Sequence, residues 1–132
     1  MAGEEGTVVR VVTAEISDSG RYLIVQRPDK AVFPGLWEFP GGRVREGESD
    51  VAALSRTLLR RIGCEVVVGE KLLEKVHHYS DYSVCLVLYR VSLDADQAEP
   101  CSVKNMAWVH ADDFANYCFP PADEASAKLL LG

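Results

Sequence analysis

The sequence has no C-x-x-C pair; its four cysteines, Cys64, Cys85, Cys101 and Cys118, stand far apart. That spacing excludes a zinc knuckle or dithiol redox motif and predicts buried or idle thiols, since a free cysteine behaves as a small hydrophobe. No apolar run approaches the ~20 residues that a membrane span needs. The first residues, Met1-Ala2-Gly3-Glu4-Glu5-Gly6, carry no basic stretch followed by an apolar one, so a cytoplasmic chain with no membrane partner is expected. Positive charge is also scarce: 14 Lys plus Arg against 20 Asp plus Glu give a formal net charge of -6. Such a surface is not drawn nonspecifically to duplex nucleic acid. What remains is an ordinary globular mix, 48% hydrophobic and 26% charged, over 132 residues. That length predicts a single domain over 1–132 with one hydrophobic core.

Valine-rich Thr7 to Ile16 and the run Arg21 to Arg27, separated by Asp18-Ser19-Gly20, read as strand, turn and strand. Pro28, Pro34 and Pro40 make the next stretch an irregular connection, where a ligand is expected to be met. From Asp50 to Ile62, Val51, Leu54, Leu58 and Ile62 recur at spacings of three and four, which marks one apolar stripe of a helix. Ser49 or Asp50 caps its start and Gly63 ends it. Cys64 to Val68 and Leu72 to Tyr79 read as two extended segments, and Tyr82 to Leu93 as the strongest strand. A short strand over Asn105 to His110, a helical turn over Ala111 to Asn116 and a terminal helix over Pro121 to Leu131 complete the chain. Strands on both sides of a central helix predict an α/β sandwich with a mixed sheet.

Gly42-Arg43-Val44-Arg45-Glu46-Gly47-Glu48 opens a segment that resembles the Nudix box. In that box a glycine, five residues, a glutamate and seven residues precede Arg-Glu-apolar-x-Glu-Glu-x-Gly-apolar. Gly42 fits the first glycine, Glu48 the first glutamate and Arg56 the arginine; Leu58, Gly63 and Cys64 fit later positions. Pro34-Gly35-Leu36-Trp37-Glu38-Phe39-Pro40-Gly41-Gly42 is similar to the approach to the box in the MutT branch, which removes oxidised or otherwise unwanted nucleoside triphosphates. Phe119-Pro120-Pro121-Ala122-Asp123 is similar to a late Phe-Pro-Pro-Ala-Asn stretch of those proteins. Gln26-Arg27 sits where they often carry basic residues beside the base pocket. The resemblance runs from about Val8 to Leu130 and implies the Nudix-type α/β/α sandwich with a mixed β-sheet.

It also implies a metal site. In Nudix hydrolases the box glutamates project from one helix face and bind divalent ions that neutralise pyrophosphate and activate water. Here Thr57 follows the arginine, Arg60 and Arg61 replace the paired glutamates, and Ala107 precedes Trp108 where MutT proteins place another glutamate. A guanidinium has no lone pair for Mg²⁺ and stays protonated. Its repulsion of Mg²⁺ at ~5 Å is several kcal/mol at an effective dielectric of ~20, more than Glu48 alone offsets. Arg43 to Arg61 holds five basic and three acidic residues, a surplus of two positive charges in a chain of net -6. Metal-dependent hydrolysis is therefore expected to be crippled or absent, with no resident cofactor.

Each candidate residue carries two readings. Arg60 and Arg61 clasp a di- or triphosphate in place of metal, or form a solvated helix end where cations meet the dipole's negative pole. Glu48, the surviving box carboxylate, and Arg56 are catalytic, or they pair and brace loop against helix. Gly41 and Gly42 admit phosphate to backbone amides, or serve a bend. Trp37 and Phe39 stack on a base, or anchor the core; Arg27 and Glu38 stand beside them. His77 and His78 alternate across a strand, which offers His78 to a ligand or leaves it structural. Asp123 replaces an Asn, and an ionised Asp only accepts hydrogen bonds, which alters base preference. The leading expectation is a nucleotide or phosphate binder without hydrolysis. One alternative is a hydrolase holding Mg²⁺ through Glu46, Glu48, Asp50 or Glu65; another is a purely structural or protein-interaction domain with a filled cleft.

Overall fold

The computed structural model describes residues 7–131; residues 1–6, which carry the reading of the chain's start, and residue 132 lie outside the described residues. Alternating valines form β1, Val8–Glu15, and a turn at Ser19-Gly20 joins the short β2, Ser17–Asp18, to β3, Arg21–Gln26. The proline-rich connection carries β4, Trp37–Glu38, and is followed by β5, Gly41–Arg43. After the helix α1, Asp50–Ile62, come β6, Val67–His78, β7, Ser83–Ser92, and β8, Asn105–Val109. A 3-10 turn at Pro121–Asp123 leads into α2, Glu124–Leu131.

One sheet has the order β5-β1-β7-β6 and is mixed: β1 runs parallel to β7, from Val8 opposite Ser83 to Glu15 opposite Arg90, and the other pairs are antiparallel. The second sheet pairs β3 with β2, β4 and β8, all antiparallel. The two segments expected between Cys64 and Tyr79 are instead one strand, β6, with register shifts between Val68 and Leu73. A Cβ at Gly69 would lie 3.0 Å from the Arg90 carbonyl, so glycine lets the irregular strand stay on β7.

The helix α1 begins where the Ser49 side chain accepts from the Ala52 N–H and ends where Gly63, at φ 70°, donates to the Leu59 carbonyl. Its buried face is Ala53, Leu54, Thr57, Leu58 and Ile62; Val51, expected in the stripe, is 53% exposed. The face turns toward Thr57 because that methyl packs under Gly42, where a Cβ would meet it at 2.6 Å. Leu23 and Val25 of β3 join the core beneath α1, while Ile24 on the opposite face joins Phe39, Val109 and Phe114. All four cysteines are free: Cys64 and Cys85 are buried, Cys101 and Cys118 exposed. Among the described residues, no helix is long and apolar enough to cross a membrane.

Candidate functional site

The period-2 alternation of β1 and β7 separates core from site. Val12, Ala14, Cys85 and Val87 enter the core. Val9, Val11 and Thr13 with Val84 and Leu86 face the other way and floor an open cleft of about 350 Å³. Gly41, Gly42 and Arg43 of β5 form one side, and Arg61 enters from α1. Phe33, Tyr79 and Tyr82 form an aromatic wall: Tyr79 stacks on Tyr82 at 5.2 Å and contacts Phe33 at 5.5 Å. The Tyr79 hydroxyl accepts from the Ala122 N–H at 3.2 Å, which ties this wall to the turn carrying Asp123. Phe33 holds φ at 54°, a left-handed backbone that non-glycine residues seldom adopt. None of the three aromatics was singled out from sequence; their signal is an aromatic pair inside a short turn, Tyr79-Ser80-Asp81-Tyr82, in a chain only 8% aromatic.

Charge inside the cleft is arranged unevenly. Arg27 donates through Nη1 to both Glu38 oxygens, at 2.6 and 3.0 Å, and through Nε to the Val32 carbonyl. Asp123 is buried, and its Oδ1 has no hydrogen-bond partner. Burial pushes its carboxyl well above the usual range, Glu38 pushes it further, and Arg27 opposes both. Burial and Glu38 thus both act toward the protonated acid, and a protonated carboxyl offers one donor and one acceptor, as an Asn amide does. Arg61 is half-buried, with Nη2 3.6 Å from where a Cβ on Gly42 would stand. It makes no side-chain hydrogen bond or ion pair among the described residues. Burial lowers its pKa; Glu38 supports its charge, while Arg27, Arg60 and Arg56 oppose it.

The cleft thus brings together Arg27, Glu38, Phe39, Gly41, Gly42, Arg61 and Asp123, and leaves out Trp37, Glu48, Arg56, Arg60 and His78. Arg60 is exposed. On a 3.6-residue helix, position 61 turns only ~40° from position 57, whereas position 60 turns ~60° the other way, toward solvent. Trp37 packs edge-on against Tyr117 at 5.1 Å and belongs to the second core cluster. His78 is exposed near the end of β6 and shares a 2.6 Å hydrogen bond with the Ser83 hydroxyl; His77 packs on Tyr79 at 4.5 Å. Glu48 receives Arg56 Nε and Nη2, both at 2.8 Å, and the Arg45 N–H at 3.0 Å. Arg56 also donates to the Arg43 carbonyl at 2.9 Å, so the pair clamps the loop before α1 onto the helix.

The donor set does not fit the Mg²⁺ that the box resemblance implies. Both Glu48 oxygens are occupied by Arg56, and Thr57 is buried with its hydroxyl donating to the Ala53 carbonyl at 2.8 Å. Of the relocated ligands considered, Asp50 is bound by Arg10 through two nitrogens, at 2.7 and 2.8 Å, and by the Tyr89 hydroxyl at 2.6 Å. Glu46 and Glu65 are exposed and do not line the cleft. Among the described residues, no group of three or more His, Cys, Asp or Glu is placed to hold a metal ion.

A cleft beside two small sheets, with a capped helix packed behind a glycine pair, defines an α/β fold with a mixed sheet. Residues 11–129 match the model of the NUDIX domain, and the chain belongs to the Nudix family. It is 31% identical over 116 residues to the CTP pyrophosphohydrolase of Escherichia coli K12, covering 88% of this chain and 86% of that one. It is also 31% identical to a putative 8-oxo-dGTP diphosphatase 2 of Mycobacterium tuberculosis H37Rv, covering 86% and 81%. In three dimensions it matches the solution structure of the E. coli ORF135 protein with a TM-score of 0.82, at 28% identity and over 95% of this chain and 89% of that one. The MutT protein from Methanosarcina mazei Go1, at 20% identity, shares the fold with a TM-score of 0.82 over 96% and 93% of the two chains.

Proposed function

We propose that this Nudix-fold chain binds a nucleotide or similar phosphate-bearing small molecule without metal and does not catalyse metal-dependent pyrophosphohydrolysis. One observation carries the reading: Arg61, at the place of a box glutamate, enters an open cleft as an unpaired guanidinium. A planar fork of donors suits phosphate oxygens and supplies the charge that a divalent ion otherwise brings. The missing Cβ at Gly42 lets Arg61 Nη2 pass 3.6 Å from that position. The phosphate lies at Arg61, and the base lies between the aromatic wall and Asp123, whose neutral acid both donates and accepts. The similarity to proteins named for CTP and 8-oxo-dGTP supports a nucleoside phosphate as ligand. A cytoplasmic setting, where such ligands are abundant, belongs to the same proposal.

Against the hydrolase alternative, the carboxyls lining the cleft among the described residues are Glu38, bonded to Arg27, and the buried Asp123; the structural-domain alternative expects a filled cleft where one of about 350 Å³ stands open. Calorimetry with a nucleotide panel in chelator tests the proposal, together with a pyrophosphate-release assay in Mg²⁺. Binding without metal and no release are expected. Release from any nucleoside triphosphate, abolished by chelator and by Glu48→Gln, establishes the hydrolase instead.

A further inference from the structure

The charge that the cleft can offer a ligand is smaller than its list of arginines suggests. Arg27 is neutralised by Glu38, bonded through both carboxylate oxygens. Asp123 is buried with an unpartnered oxygen, an environment that keeps a carboxyl neutral. Two further arginines line the cleft, Arg61 inside and Arg43 at the exposed rim, neither with a side-chain hydrogen bond or ion pair among the described residues; Glu38, already bonded to Arg27, supports Arg61 only at longer range. Among the described residues, no carboxylate cluster is placed to bring in a divalent ion and raise that total.

A phosphomonoester carries about -1.5 to -2 charge near neutral pH, which two guanidiniums match. Each further phosphoryl group adds negative charge for which the described residues lining this cleft offer no further free cation. It adds that charge close to Glu38, which lies near enough to Arg61 to stabilise it. We infer that the ligand class of this cleft is the nucleoside monophosphate, held as its dianion between Arg61 and Arg43, in preference to the triphosphate that relatives are named for. This inference rests on the metal-free nucleotide reading of the same cleft. It also sets a pH dependence: the second phosphate pKa is about 6, so affinity falls below that pH as the dianion is lost.

The test is calorimetry in chelator with the nucleosides adenosine, cytidine, guanosine and uridine and with their mono-, di- and triphosphates. For the base that binds best, the monophosphate is expected to bind roughly tenfold more tightly than the triphosphate. Arg61→Gln should weaken the monophosphate by roughly tenfold or more and leave the nucleoside unchanged, the loss expected for a charged hydrogen bond. Since the Arg61 side chain makes no hydrogen bond or ion pair among the described residues, the variant should keep its Tm; the unmodified protein's own series decides if it does not. A triphosphate that binds as tightly as the monophosphate, or more tightly, overturns the monophosphate assignment and leaves the metal-free reading standing. No binding at all, or binding only with Mg²⁺, overturns both.

Discussion

Asp123 and Glu48 are both carboxyls, and their surroundings drive them in opposite directions. Burial raises Asp123 above its ordinary 3.8, whereas the Arg56 and Arg45 bonds lower Glu48 from 4.5 to about 2. The folded state holds more protons at Asp123 than the unfolded chain does. Stability from this group therefore falls as pH rises from about 4 toward the raised value, by ~1.4 kcal/mol per unit of the rise. Asp123→Asn removes that slope; urea midpoints measured across pH should show a flatter limb above about pH 4 than the unmodified protein. Glu48 acts on the other side: its contribution is complete above about 4.5 and is lost as pH falls through about 2. Glu48→Gln should lower Tm at neutral pH and flatten the acid limb, and an unchanged acid limb counts against the clamp.

The helix α1 was legible because its signals agree: a serine cap, apolar residues at helical spacing and a terminal glycine. Ser49→Ala should cost about 1 kcal/mol in chemical unfolding, the usual worth of such a cap. Tertiary packing, which spacing does not encode, decided the rest of this element. Thr57 became the centre of the buried face and Val51 an exposed residue because α1 is pressed against Gly42. Gly42→Ala places a Cβ 2.6 Å from the Thr57 methyl and should destabilise by ~1–3 kcal/mol. Thr57→Ser removes that methyl and should recover part of the loss, a coupling that a double-mutant cycle reads directly. The strand β6 was misread for a similar reason, since Gly69 suggests a break until its partner strand is known. The cleft was half legible: motif spacing found Arg27, Gly42, Arg61 and Asp123, but only the fold brings Phe33, Tyr79 and Tyr82 beside them.

At the scale of the whole molecule, an acidic chain of net -6 carries a positive surplus over Arg43 to Arg61, while its fold keeps a TM-score of 0.82 to the ORF135 protein. Ligand chemistry can change here with the scaffold retained, because position 61 enters the cleft from α1 without belonging to the apolar core. Their order also predicts unequal effects. Arg60→Glu should leave metal-free nucleotide binding within about twofold, because an exposed charge is screened by solvent. Arg61→Glu, which puts an anion where the phosphate is expected, should abolish it. Thr57→Glu, Arg60→Glu and Arg61→Glu together shift the segment by five charge units and add three carboxylates to α1. That triple variant should gain Mg²⁺ affinity by calorimetry, since the added carboxylates supply the hard oxygen ligands the ion requires. Pyrophosphate release from a nucleoside triphosphate by the triple variant, and none by the unmodified chain, assigns the difference to the ligands. Mg²⁺ binding without release instead places a second divergence in the pocket, at the aromatic wall or at Asp123.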